Sequence, residues 1–423
     1  MATTTFHREL IAASPRRQRV MGILFLVLGL AIWVLFIQSL QNPNSVAHFG
    51  MNASLDNPVQ IPDWNVPVLP TLYVMMILNI ILGIYQLVRG FKRWTNYVLG
   101  LVSAFFIFAF FTWATAGASI NLAGLIFNTL TSSVAITLAA LSGILCERAG
   151  VVNVAIEGMM LGGAMTSAFV GSVAHSLWIG LLAGIAAGVL LGFIHGILSI
   201  KYKTDQIISG TVINIFATGL TTYISTKFLQ VYQNLNNPGV FPPIPIPGLV
   251  NIPFLGPILF NNNIFVYIMF VLIIILQIVL FNTKWGLRVR AVGEHPKAAD
   301  TLGINVIRTR YMAVLLSGAM AGFGGSYFVL GSVGRFDQVM TAGKGFIGLA
   351  AMIFGNWNPV GSFGAGLLFG FADSLASKLA LLGVNIPSQF LLMAPYIATM
   401  IILAGVVGRS LAPAADGVPY NKE

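Results

Sequence analysis

Charge is scarce in this sequence. Only 8% of its 423 residues are Asp, Glu, Lys or Arg, against about 25% in an average soluble domain. A soluble chain of this length would normally form two or three domains, and 22 basic and 12 acidic residues cannot cover their surfaces. Cysteine is nearly absent. Cys146 stands alone, which excludes an intrachain disulfide and a Cys-based zinc site. Catalytic signatures are missing as well. Gly343-Lys344-Gly345 lacks the upstream glycine spacing and the following Ser/Thr of a phosphate-binding loop. There is no His-Glu-x-x-His, and His7, His48, His175, His195 and His295 are scattered. No Gly-x-Ser-x-Gly elbow occurs. A soluble enzyme, a disordered chain and a disulfide scaffold are thereby excluded, and any ATP hydrolysis belongs on another chain.

What the sequence has is apolar length. Hydrophobic residues make up 57% and mean hydropathy is +0.86. The 45 glycines suit membrane helices, where they let backbones approach closely. The composition predicts an all-α, polytopic integral membrane protein with about 10–12 transmembrane helices. Apolar runs long enough to cross lie near 20–40, 68–88, 97–116, 123–145, 152–171, 177–200, 207–230, 264–283, 311–330, 360–381 and 389–408. The shorter run 345–356 reads as a half-helix or re-entrant segment. The first run follows Arg16, Arg17 and Arg19, and Ser45-Val46-Ala47 offers a small-residue cleavage site. The run is about twice the usual signal-peptide core, so an uncleaved span is expected.

The net charge of +10 orients the chain and does not mark a nucleic-acid binder. With a cytoplasmic N-terminus, alternating spans put 18 of the 22 basic residues inside, as the positive-inside rule requires. Parity closes, with both ends inside, if 345–356 counts as a crossing. The outside loop 41–67 holds Asp56 and Asp63 and no Lys or Arg, and the outside loop 231–263 holds no charge. Its portion 236–262 is rich in Asn and Pro, which disfavours regular structure. It reads as a semi-rigid connector or as a docking surface for an external partner.

Ionisable residues at membrane depth face protein or a water-filled path. Glu157 lies four residues after Asn153 in an apolar run, a spacing that puts both on one helix face. That face either lines a translocation path for a hydroxyl-rich solute or braces a neighbouring helix near Arg148. The stretch Cys146-Glu147-Arg148-Ala149-Gly150 reads as a break between spans. Asp205 suits the N-cap of the run at 207–230, and Asn214, deeper in and sharing a face with Gly210, is a path candidate. Asp373 shares a face with Ser377 and has Lys378 beside it as an ion partner or snorkelling cation. Gly318, Gly322 and Gly325 read as helix packing, and His195 as a hydrogen-bonded packing residue. In the long inside loop 284–310, Pro296 suits a first helical turn and Gly303 a C-cap. Ala298 and Ala299 between them would offer a small-residue face to a partner groove.

The string Gly286-Leu-Arg-Val-Arg-Ala-Val-Gly-Glu-His-Pro-Lys-Ala-Ala-Asp-Thr-Leu-Gly-Ile-Asn-Val306 resembles the cytoplasmic loop of bacterial ABC importer permeases, in the superfamily of the branched-chain amino acid and ribose permeases. Four further strings resemble its nucleoside and simple-sugar branch. They are Glu147-Arg-Ala-Gly-Val-Val-Asn-Val-Ala-Ile-Glu-Gly-Met-Met-Leu-Gly-Gly-Ala164, Ser317-Gly-Ala-Met-Ala-Gly-Phe-Gly-Gly325, Gly343-Lys-Gly-Phe-Ile-Gly-Leu-Ala-Ala-Met-Ile-Phe-Gly-Asn-Trp-Asn-Pro359 and Met393-Ala-Pro-Tyr396. The resemblance runs over about 120–408 of the chain. It implies the ABC importer permease fold in a bacterial plasma (inner) membrane, working by alternating access. No cofactor is implied on this chain; ATP and Mg belong to a partner ATPase. The other implied partners are a second permease subunit, an external substrate-binding protein of lipoprotein type, the lipid bilayer and a small-molecule solute, with no nucleic acid. ATPase coupling would fall to Glu294, His295, Pro296, Lys297, Ala298, Ala299, Asp300 and Gly303, and the path to Asn153, Glu157, Asn214 and Asp373. The solute is expected among nucleosides or related compounds, with ribose-like sugars, branched-chain amino acids and an ion-coupled secondary transporter as the alternatives. The organisation expected is an N-terminal extension over 1–115 with about three spans, a permease core over 116–410 and a cytoplasmic tail over 411–423.

Overall fold

The computed structural model describes residues 15–53, 59–381, 393 and 411–422. The chain forms two units that divide between Gly124 and Leu125, the second running to Ser377 and including the chain end 411–422. Among the described residues, nine helices are long and apolar enough to cross a membrane, so the chain is a multi-pass membrane protein. The expected span 389–408 lies outside the described residues, as do Arg8, Asp56, Arg409 and 394–396 of the Met393 string.

In the first unit, α1 (Pro15–Ala31) runs on into a π-helical turn, Ile32–Ile37. It packs on α2 (Val68–Val88) and is followed later by α3 (Thr95–Ala114). Phe36 stacks with Trp113 and touches Phe106 and Phe110, ring centres 5.3–5.9 Å apart. The loop 41–67 is more ordered than its polarity suggests. Strand β1 (Val46–Gly50) pairs antiparallel with β2 (Trp64–Pro67), Val46 opposite Pro67, and parallel with β3 (Ser119–Asn121). Ala47 and Phe49 point inward while His48 is exposed, the period-2 alternation of a strand.

The second unit is helical. α4 (Leu122–Glu147) is followed by a non-helical elbow, 148–155, with turns at 148–150 and 154–155, and then by α5 (Ile156–Ala174). The helix in the expected span 152–171 therefore begins four residues late and is not among the nine counted above, and Cys146 and Glu147 belong to α4 and not to the break. α6 (Leu177–Gly196) is N-capped by Ser176, and α7 (Gln206–Ile224) by Asp205, whose Oδ1 accepts from Ile207 N and Ile208 N at 2.9 Å, the cap expected from sequence. The Pro-rich loop then carries short pieces. β4 (Ile244–Pro245) pairs with β5 (Asn261–Asn262) around α8 (Leu255–Phe260). Asn236 pins the loop by exchanging two hydrogen bonds with Phe336, at 2.7 and 2.9 Å. α9 (Ile264–Asn282), α10 (Lys284–Glu294), α11 (Pro296–Thr301), α12 (Val306–Ser326), α13 (Lys344–Phe354) and α14 (Pro359–Leu381) complete the order. α13 has 11 residues, about 16 Å of helix, half a bilayer core of about 30 Å. It is the half-helix that the run 345–356 predicts.

The centre of this unit is α5 and α12 against α6. Helices in lipid gain little from burying one another's apolar surface, so they associate by close backbone packing. Here small residues permit it. A side chain on Gly322 would meet the carbonyl of Gly184 at 2.5 Å, and one on Gly188 or Gly325 would overlap the carbonyls of Gly318 or Met160. The glycines read as packing residues do that.

Gly325→Ala is expected to lower the thermal midpoint of the detergent-purified protein by an amount corresponding to about 1–3 kcal/mol of overpacking. Gly219→Ala, on α7 with open space around it, is expected to be neutral or stabilising. Equal midpoints for the two variants would contradict this packing account.

Candidate functional site

Two polar clusters stand out in the second unit. The first surrounds Glu157. The segment 334–343 ahead of α13 is irregular, with Gly334, Val339, Ala342 and Gly343 at positive φ. The N-cap residue, Gly343, has no side chain with which to cap α13. Its free N–H groups are met instead by Glu157, in the first turn of α5. Oε1 accepts from Thr341 Oγ1 at 2.6 Å and from Gly343 N at 2.9 Å, and Oε2 accepts from Gly345 N at 2.7 Å. A buried carboxylate at a helix N-terminus satisfies orphan donors and meets the positive end of the helix dipole. Gly345 leaves room for it, since a Cβ there would lie 2.7 Å from the carboxylate. One residue away, Lys344 Nζ pairs with Asp373 Oδ1 at 3.0 Å. Asp373 thus takes its cation from α13 and not from Lys378. Arg148 is not beside Glu157 either. Its guanidinium donates to the carbonyls of Trp357 and Asn356, at 3.1 and 3.2 Å.

The second cluster holds the elbow. Asn153 sits in the non-helical stretch before α5, so the helical spacing that put it on one face with Glu157 does not apply. Its Nδ2 donates to Ser317 Oγ at 2.8 Å, and its Oδ1 accepts from Ala155 N at 3.1 Å. Ser142 Oγ lies 2.9 Å from Ser317 Oγ. Asn214 bridges α7 to the start of α5, accepting from Gly158 N and donating to Val154 O, both at 2.8 Å. Gln206 Oε1 accepts from Val152 N at 2.7 Å, and His195 Nε2 lies 2.9 Å from Val152 O, the hydrogen-bonded packing role expected of it. Non-helical backbone at depth survives only where protein satisfies its polar groups; here three side chains from α6 and α7, His195, Gln206 and Asn214, do so, while Ser317 of α12 holds the Asn153 side chain. The polar character of Gln206 and Ser209 at the start of α7 was the available signal; the partnership with 152–158 was not.

On the face that carries the basic loop, α10 is capped by Thr283, and α11 begins with Pro296 and ends ahead of Gly303 at φ +81°. This is the Pro-to-Gly helix read from sequence. One detail differs. Ala299 is 2% exposed and packs with Val292 and Val306, so the outward small-residue face is Ala298 without it. The chain end 411–422 lies on the same elements. Ala415 N donates to Gly293 O at 2.8 Å, Ala414 N to Glu294 Oε2 at 3.2 Å, and Arg310 Nη1 to Val418 O at 3.0 Å. Burial raises the Asp416 carboxyl to about 6, against the opposing pull of a hydrogen bond with Glu147, the Gly417 backbone and Arg310. Among the described residues, no group of three or more His, Cys, Asp or Glu could hold a metal ion.

Residues 125–408 match the family described as the permease component of the branched-chain amino acid transport system. This chain belongs to that permease family. The match begins at the residue where the second unit begins. Among its relatives are the guanosine ABC transporter permease protein NupQ of Bacillus subtilis, 44% identical over 70% of this chain and 95% of the relative, and the nucleoside ABC transporter permease protein NupC of Lactococcus lactis, 40% identical over 70% and 96%. No solved structure matches the chain. Membership makes it a transport subunit and not an enzyme, one component of an ABC transporter whose ATPase is a separate part.

Hydrogen bonds to a charged acceptor contribute about 1.5–3 kcal/mol each. Glu157→Gln replaces one acceptor oxygen with a donor that faces the N–H groups of α13. It is expected to speed amide exchange at 344–347 by about thirtyfold, corresponding to about 2 kcal/mol, and to leave α9 unchanged. Unchanged exchange at 344–347 would contradict the capping role.

Proposed function

We propose that this chain is a permease subunit of an ATP-driven importer of nucleosides. The observation that carries the reading is its 44% and 40% identity, over nearly the whole length of each relative, to permeases named for guanosine and nucleoside transport. The interior agrees with a neutral solute. Among the described residues, its buried polar side chains are mainly amides and hydroxyls, such as Asn153, Asn214, Ser142, Ser317 and Thr341, with no array of Arg or Lys to hold an anion. In this reading 116–410 is the permease core, 1–115 an added membrane unit, and both termini face the cytoplasm of a bacterial plasma membrane.

The mechanism follows from the connections. ATP and Mg act on a partner ATPase, which engages α11 and the residues flanking it through Glu294, His295, Pro296, Lys297, Ala298, Asp300 and Gly303, while Ala299 anchors the helix from within. Movement of α11 passes through Ala299, Val292 and Val306 to the root of α12. α12 carries Ser317, and Ser317 holds Asn153 at the elbow. The elbow leads into α5, whose Glu157 holds the half-helix α13, itself tied to α14 by Lys344 and Asp373. A shift at the inner face therefore re-aims α13 at membrane depth and switches access between the two sides. A second permease subunit completes the pathway, and an external substrate-binding protein of lipoprotein type delivers the solute to the Pro-rich loop side.

In vesicles carrying the chain with its partner subunits, labelled guanosine is expected to accumulate only with ATP. A hydrolysis-dead ATPase should reduce uptake to background. Uptake of ribose or leucine in place of guanosine would overturn the substrate class, and uptake indifferent to the ATPase would restore an ion-coupled transporter.

A further inference from the structure

The chain end was legible in sequence only as a tail, and the structure gives it specific partners on three elements. The first is α10. Its last residues, Gly293 and Glu294, accept hydrogen bonds from the backbone N–H groups of Ala415 and Ala414. The second is the root of α12, where Arg310, 1% exposed and among the largest fully buried side chains, donates to Val418 O at 3.0 Å. The third is the start of the elbow. Asp416 lies close enough to Glu147 at the end of α4 for the two carboxyls to influence each other's protonation, and Glu147 accepts from Trp357 Nε1 at 2.6 Å.

The backbones meet almost without side chains between them. A Cβ on Gly150 would lie 2.9 Å from Ala415 O and from Arg310 Nη2, and 3.4 Å from Gly293 Cα. A Cβ on Gly293 would overlap the carbonyl of Arg148. Elbow, α10 and tail are thus in backbone contact at one point, over a buried guanidinium. Farther along, Tyr420 packs beside Val292, Ala299 and Val306, the cluster under α11, and the Lys203 ammonium donates to Asn421 Oδ1. Tyr420 and Lys422 also wall a cleft of about 250 Å³ with Asp300, Asn305 and Arg308, alongside α11.

We propose that 411–422 is a coupling strap, which clamps the end of α10 to the elbow so that displacement of the ATPase-facing helix is delivered to α5 and α13 and is not absorbed between them. Arg310 and Asp416 act as positioning residues in it. The strap deepens the importer reading above and rests on it. Closely packed backbone transmits displacement because it has little room to deform. The direct route through Ala299 and Val306 reaches α12; the strap adds the shorter route to the elbow, by way of Gly293 and Gly150.

The test measures guanosine uptake and ATP hydrolysis on the same proteoliposomes, containing the complete transporter with its ATPase and binding protein. Ending the chain after residue 410 is expected to leave binding-protein-stimulated hydrolysis within about twofold and to lower guanosine moved per ATP by at least about tenfold, corresponding to about 1.4 kcal/mol. Asp416→Lys, which sets a second cation against Arg310 without shortening the chain, should do the same if the shortened protein does not accumulate. Asp416→Asn, nearly isosteric, should retain the wild-type ratio. An unchanged ratio in both disruptive variants overturns the strap, and so does joint loss of hydrolysis and uptake, which would make the tail part of ATPase docking. A wild-type complex without ATPase-dependent uptake overturns the importer reading itself and removes the basis of the strap with it.

Discussion

Backbone in contact with backbone, in a solvent that cannot hydrogen-bond, is the constraint on which the second unit depends. Inside a bilayer every peptide group must find a partner within the protein, and helices have little apolar drive to associate. The chain meets the second condition with glycines where α5, α6 and α12 cross. It meets the first by regular helix wherever it can. At two departures from regular helix, 148–155 and 334–343, buried polar side chains such as His195, Gln206 and Glu157 meet the freed backbone groups.

Glu157 shows how a costly residue becomes useful there. A carboxylate at the centre of a membrane helix costs about 2.5–3.5 kcal/mol on insertion scales. Three charge-assisted hydrogen bonds of about 1.5–3 kcal/mol each, together with the N-terminal end of α13, offset that cost. A half-helix of 11 residues has too little surface to hold itself in place, so the carboxylate and the Lys344–Asp373 pair fix its position. A half-helix held by a few strong, specific contacts can change partners as a unit when its neighbours move, which is what alternating access requires. Asn153 and Asn214 serve the elbow in the same way, each meeting backbone groups that lipid would leave unpaired.

Much of this was legible in sequence because it is local. Apolar run length placed the spans, Asp205 announced its cap, and Pro296 with Gly303 bounded α11. What sequence reading missed is non-local or depends on where a helix starts. The apolar run 152–171 gave no sign that the chain stays non-helical to Ala155, so Asn153 and Glu157 were put on one face. Lys378 is five residues from Asp373, and Lys344 is 29 residues before it, yet the fold pairs the latter. Ala298 and Ala299 look alike in sequence, but a 100° step along a helix turns one out and the other onto Val292. The tail carries too few apolar residues to announce a packed element, and its attachments are chiefly backbone hydrogen bonds, which leave no trace in composition.

The central claim is that α11 is the point at which an ATPase moves this permease. Its most direct measurement is site-specific photo-cross-linking in the assembled transporter, with the probe placed at Ala298, which faces outward, and at Leu249 in the Pro-rich loop, whose side chain is exposed. The account predicts capture of the ATPase subunit from position 298, with a yield that changes between nucleotide-free and ATP-bound complexes, and no ATPase capture from position 249. Capture of the ATPase from 249, or none from 298 in a complex that transports, would contradict it.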